Sequence, residues 1–181
     1  MGRNWDAIPD HLATWMPAQP VFFVATASLT PDGHVNLSPK GDDTFRVIDR
    51  STVAYLDLTG SGAETIAHTR ENGRLTIMFC SFDGRPDIVR LYGRGEAVLP
   101  DHPDFPDLVA RFPEKLSTRS VIRLHVNEVT SSCGFGVPYM SLAGPRPMMD
   151  EWAERKGPDG IVEYRAEKNQ HSLDGLPALA D

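Results

Sequence analysis

Hydrophobic positions near the start of the chain recur at helical spacing. Trp5, Ile8, Leu12, Trp15 and Met16 predict a helix over residues 5–16, closed by Pro17 and Pro20. The period then shortens to two. Residues 21–29 are β-branched and aromatic, Thr30-Pro31-Asp32-Gly33 is a turn signal, and residues 34–38 resume an extended pattern, which predicts a hairpin. Two more short strands are expected at 45–48 and 52–58, around a turn at Asp49-Arg50. A helix follows over 62–72. Ala63, Ile66, Ala67 and Arg70 share one face, Gly73 supplies the stop, and Ser61 with Glu64 reads as a capping box.

Alternation returns in residues 74–82, with Leu75, Ile77 and Phe79 set against Thr76, Met78 and Cys80. The turn Asp83-Gly84-Arg85-Pro86 leads into a strand over 88–99. There Gly93 and Gly95 fall on the apolar side and predict a bulge or the close approach of another backbone. A short helix at 107–112 and a strand at 120–129 complete the pattern. Six or seven strands with one helix inserted mid-sheet favour a closed antiparallel barrel over a doubly wound α/β fold. Beyond Cys133 the texture changes to a Gly/Pro-rich loop over 134–147, a short helix around 148–155, a break at Gly157-Pro158-Asp159-Gly160, and a tail. Residues 1–132 therefore read as a barrel domain with an N-terminal helix. Residues 133–181 read as an extension packing on the barrel or on a partner copy.

Composition narrows the function. A formal charge of −7 argues against a nucleic-acid surface, although a local basic pocket for one phosphate stays compatible with it. No apolar run reaches membrane-spanning length, and the first ten residues, with Arg3, Asp6 and Asp10, lack a signal-peptide core. Two cysteines, Cys80 and Cys133, are too few for a disulfide framework, and no zinc-like Cys/His spacing occurs. The expectation is a cytoplasmic protein without a metal site.

Two segments carry candidate chemistry. In the first, 34–41, Pro39 is expected to end the strand and deliver Lys40 on a constrained backbone. In the second, 56–65, a strand feeds a glycine-rich helix start, where free N–H groups and a partial positive charge suit an anion. The Thr59, Ser61 and Thr65 hydroxyls add donors. The spacing matches neither the Walker nor the Rossmann pattern, so for the second segment taken alone a plain helix cap without a ligand is the favoured reading.

Four motifs together resemble the pyridoxamine 5′-phosphate oxidase family: Val35-Asn36-Leu37-Ser38-Pro39-Lys40-Gly41, Tyr55-Leu56-Asp57-Leu58-Thr59-Gly60-Ser61-Gly62, Arg90-Leu91-Tyr92-Gly93-Arg94-Gly95 and Ser132-Cys133-Gly134-Phe135-Gly136-Val137-Pro138. The likeness covers about 20–130 at the level of fold, and the last motif carries it further. It implies a six- to seven-stranded antiparallel split β-barrel that binds flavin mononucleotide (FMN) in grooves between two subunits. Asn36, Leu37, Ser38 and Lys40 would edge the flavin; Thr59, Gly60, Ser61 and Thr65 would hold its phosphate end. The implied activity is an FMN-dependent oxidoreductase working through flavin N5, with a nicotinamide or a small-molecule substrate as donor. Alternatives on the same barrel are a deazaflavin-dependent reductase and a module that binds flavin or haem without turnover.

Two departures stand out. Where the oxidases carry an Arg-Lys pair at the helix start, this chain has Glu64-Thr65, so Lys40 or an arginine such as Arg90 or Arg94 must offset the acid. The C-terminal Trp and Arg motif that grips pyridoxal phosphate has no match. No catalytic residue is assigned. Cys133 is expected to be a buried inert thiol, and His34 and His125 plain polar face residues. Trp152, Tyr164, Lys168 and Asn169 are expected to pack as a terminal helix or to close over the flavin.

Overall fold

The computed structural model describes residues 2–180. Its elements run β1 (Arg3–Trp5), α1 (Asp10–Trp15), β2 (Val21–Ala27), β3 (Val35–Gly41), β4 (Phe45–Val47), β5 (Thr52–Leu58), α2 (Glu64–Glu71), β6 (Arg74–Cys80), β7 (Asp87–Val98), α3 (Phe105–Val109), β8 (Thr118–Cys133) and α4 (Met148–Lys168). Strands pair antiparallel in the order β3-β2-β6-β7-β8-β5-β4. The long β8 makes the curl possible: β7 runs along its length, β5 pairs with its first half, and β1 pairs near its end. Strands far apart in that order meet inside, where Phe22 of β2 lies 5.4 Å from Phe45 of β4 and 5.6 Å from Tyr55 of β5. The mainly antiparallel split barrel is therefore present, with the short β1 as an addition.

Its interior is filled by alternate residues of each strand, among them Val24, Leu75, Ile77, Phe79, Leu91, Ile122 and Leu124, and Leu12 of α1 joins it together with the flanking Ile8 and Met16. Strand β5 is buried on both faces. Tyr55 and Val53 face the barrel, while Ala54 and Leu56 pack under α3 with Leu108 and Phe112, so its sequence reads as a continuous apolar run.

Several expectations need correction. Trp5 belongs to a strand, because β1 takes up the β8 edge before the helix starts at Asp10. Pro39 does not end its strand: β3 continues through Lys40 to Gly41, and as an edge strand it tolerates a residue without an N–H. The capping box does not form, since α2 begins at Glu64 with Ala63 at its N-cap and no side-chain cap. Near the C-terminus, helix extends to Lys168, interrupted only at Gly157 (φ 67°), where the break was expected. Cys133 is exposed at the end of β8, and the buried thiol is Cys80.

The bulge expected from the glycines lies between Tyr92 and Gly93. A Cβ at Gly93 would sit 1.9 Å from the His125 carbonyl oxygen. Gly93→Ala is expected to destabilise the fold by roughly 1–3 kcal/mol, the usual cost of overpacking, seen as a lower urea midpoint at unchanged m-value.

Candidate functional site

Strand β3 alternates, so Asn36, Ser38 and Lys40 share one half-buried face while Val35, Leu37 and Pro39 point outward. The Asn36 side-chain amide donates to the Thr65 hydroxyl (3.1 Å) at the start of α2 and to the Thr26 hydroxyl (3.0 Å) on β2. Lys40 Nζ lies 6.0 Å from the centre of the Tyr55 ring, and among the described residues no carboxylate is within ion-pair distance of it. Tyr55 is fully buried; its hydroxyl faces Thr65 without closing a hydrogen bond, and burial, reinforced by the Asp57 charge, pushes its pKa well above the ordinary phenol value. Lys40 and Thr65 thus converge on one tyrosine from two elements.

The loop between β5 and α2 is held from below and from the side. Asp57, wholly buried, accepts from Arg119 Nε (2.8 Å) and Nη2 (3.3 Å) and from the Ser120 hydroxyl (3.0 Å). Arg119 also donates to the Gly62 carbonyl (2.8 Å). Burial alone would raise the Asp57 pKa, but the adjoining guanidinium outweighs it and holds the carboxyl below the usual range. The second clamp comes from α4. Arg165 donates through Nε to the Thr59 hydroxyl (2.9 Å) and through Nη2 to the Thr118 carbonyl (2.6 Å), and Asn169 donates to the Gly60 carbonyl (2.8 Å). Burial, then repulsion from Arg119, lowers the Arg165 pKa from its ordinary value. Beside this loop a cleft of about 410 Å³ opens between Thr59-Gly60 and Met148, Trp152 and Tyr164 of α4.

Of the residues expected from sequence, Asn36, Ser38, Lys40 and Thr65 come together, and Thr59 and Gly60 form the clamped loop. Leu37 faces away, 66% exposed, and the Ser61 side chain is turned to solvent. Neither Arg90, which bonds Ser132, nor Arg94, which packs on Gly73, reaches the loop; the arginines there are Arg119 and Arg165. Asp57 was a readable signal for Arg119, because an aspartate inside an apolar strand requires a cation. For Arg165, thirty or more positions beyond the barrel strands, no local pattern gave one.

Comparison with known proteins shows the family. The model of a family described as pyridoxamine 5′-phosphate oxidase matches residues 8–133. The chain belongs to this family. Pyridoxamine 5′-phosphate oxidase family protein ustO of Aspergillus flavus is 42% identical over 192 residues, covering 97% of this chain and 77% of that protein. Among solved structures, HupZ of Group A Streptococcus aligns at a TM-score of 0.52 and 21% identity over 67% of this chain and 91% of that one. A candidate pyridoxamine 5′-phosphate oxidase from Lactobacillus delbrueckii aligns at 0.54 and 18% identity, over 71% and 97%. At these identities the two structures establish the shared split barrel and nothing finer.

Asp57→Asn is expected to cost about 3–5 kcal/mol by leaving Arg119 buried without its counter-charge. Because the folded-state pKa of Asp57 lies below the unfolded value of about 3.9, its contribution is full above that value and is lost as pH falls through the lower one. Urea midpoints measured from neutral pH into acid should therefore fall in the wild type and converge on those of the variant.

Proposed function

We propose that this family member is an FMN-dependent oxidoreductase acting as a homodimer. The barrel of residues 1–132 would carry the cofactor, and residues 133–181 would complete its surroundings. What carries the reading is the convergence of Asn36, Lys40 and Thr65 around Tyr55. An unpaired ammonium, a buried phenol without a partner and the start of an eight-residue helix make a donor set suited to a phosphorylated, ring-bearing ligand. Ser117, whose buried hydroxyl also lacks a partner, adds a donor beside Thr59. The acid at the helix start is engaged elsewhere, Glu64 accepting from the Leu173 N–H at 3.3 Å.

Asn36, Leu37, Ser38 and Lys40 are proposed along the flavin edge, Leu37 through its backbone, and Thr59, Gly60, Ser61 and Thr65 at the phosphate end. Bound there, FMN would supply hydride chemistry at N5, with a nicotinamide or another small molecule as donor. Lys40 would hold negative charge, on the phosphate or beside N1. Arg119 and Arg165 would act on the loop, since their hydrogen bonds go to Asp57, Gly62, Thr59 and Thr118. A cytoplasmic setting is proposed; among the described residues no helix is long and apolar enough to cross a membrane.

Purified protein titrated with FMN tests this directly. The expected result is a yellow complex that a nicotinamide donor bleaches without oxygen. A chain that stays colourless removes the flavin reading, and a yellow complex that no reduced donor bleaches removes the oxidoreductase. Lys40→Gln should weaken FMN binding roughly 10- to 100-fold, the loss of one charge-assisted hydrogen bond. Unchanged affinity for both FMN and riboflavin would remove Lys40 from the site.

A further inference from the structure

The Asn36 contact belongs to a longer buried chain of hydrogen bonds. His68, 1% exposed on α2, places Nδ1 3.0 Å from the Thr26 hydroxyl oxygen, and that oxygen lies 3.0 Å from Asn36 Nδ2. Thr26 has one hydrogen to give. With Asn36 Nδ2 pointing at it, Thr26 accepts on that side, and its own hydrogen is free for the unprotonated Nδ1 of a neutral imidazole. Asn36 Nδ2 spends its second hydrogen on Thr65. Its Oδ1 accepts nothing from the described residues and belongs to the half-buried face that also carries Ser38 and Lys40.

We infer that His68 acts through Thr26 as a positioning residue for Asn36, making Asn36 a hydrogen-bond acceptor toward the ligand while the imidazole is neutral and a donor once it is protonated. The inference rests on the flavin reading for the identity of the ligand. The logic is one of satisfied hydrogens. A protonated His68 must donate from Nδ1 to Thr26. The Thr26 hydrogen then loses its acceptor and turns to Asn36, which can receive it only by rotating its amide so that Oδ1 faces inward. In that orientation Oδ1 receives from both Thr26 and Thr65, and the NH2 group turns to the ligand. An acceptor suits the imide N–H of a flavin ring; a donor in the same place leaves that N–H unpaired, and an unpaired buried polar group is costly.

The charges around His68 bracket its titration. Asp174 from the C-terminal tail and Glu64 and Glu71 from α2 favour the protonated ring, and Arg74 at the start of β6 opposes it. Asp174 is itself shared with His34, which bonds it through Nδ1 at 2.6 Å. Burial exceeds these charges and keeps His68 below the ordinary histidine value, so the neutral, acceptor-presenting state prevails at neutral pH.

FMN affinity measured by fluorescence quenching from pH 8 down to pH 5 tests the chain, each variant being compared with wild type at the same pH so that ionisation of the FMN phosphate cancels. Wild type is expected to lose roughly tenfold more affinity across that range than Thr26→Val, which severs the link, or His68→Gln, which cannot titrate. Thr26→Ser, which keeps the hydroxyl, should restore the wild-type profile. A purely packing role for Thr26 would shift stability and leave the pH profile of the valine variant like wild type, which overturns the inference. Because the relay is internal, the flavin-free protein gives a second reading: the Asn36 side-chain amide resonances should follow the His68 titration in wild type and not in Thr26→Val. If they do not, the relay is wrong even where FMN binds. If they do and FMN does not bind, only the flavin reading is lost.

Discussion

One guanidinium, that of Arg119, determines how β5 can be followed by a helix. Its partner Asp57 lies on a strand buried on both faces, where an unpaired carboxylate would be far too costly to retain. By answering Asp57 and the Gly62 carbonyl at once, Arg119 pins the strand end and the loop that leaves it to the adjacent strand β8. Everything at the candidate site depends on that geometry, since Thr65 can meet Asn36 only if α2 starts where this loop delivers it. The pair is better understood as fixing a conformation than as adding stability, because the desolvation of two ions offsets most of their attraction.

The charge balance of the site follows. Asp57 neutralises Arg119, whereas Arg165 bonds only the Thr59 hydroxyl and backbone carbonyls and pairs with no carboxylate among the described residues, so its positive charge stays beside the loop. Lys40 is likewise unpaired among the described residues. A phosphate held there as proposed would meet hydroxyls and a helix start as well as these cations, which a net charge of −7 in the chain around it does not preclude. This also explains why the missing Arg-Lys pair does not break the fold: the scaffold cations are internal, placed by the sheet and by α4.

Much of the barrel was legible in residue alternation, because interior and exterior positions of a strand differ in every other residue and bulges carry glycine. Hairpin β2–β3, the strand β6 and the break at Gly157 all follow from local chemistry. What escaped was set by partners distant in sequence. Pro39 reads as a terminator unless the strand is known to be an edge, Trp5 reads as helical unless a free β8 edge is there to receive it, and Ser61 reads as a cap unless Arg119 is known to occupy Gly62. The site divides in the same way. Asn36, Lys40 and Thr65 sit in motifs of their own, whereas His68, Arg119 and Arg165 act through contacts 42 to 106 positions apart.

The C-terminal tail accounts for the acid that a phosphate site would otherwise reject. Glu64 bonds the Leu173 N–H, Asp174 takes the His34 ring and backbone N–H, and Arg70 on α2 donates to the Ala178 and Ala180 carbonyls. Ala178 is fully buried against the barrel core. A carboxylate in the first turn of α2 is favoured by the helix dipole, and here it also accepts from a backbone N–H of the tail. Residues of the tail and of α2 therefore share one set of charges: Asp174 serves His34 and also biases His68, and through His68 the orientation of Asn36. On the proposed relay, a change in the tail would reach the ligand by that path without touching it, and the extension beyond β8 would then work as part of the site and not as a cap upon it.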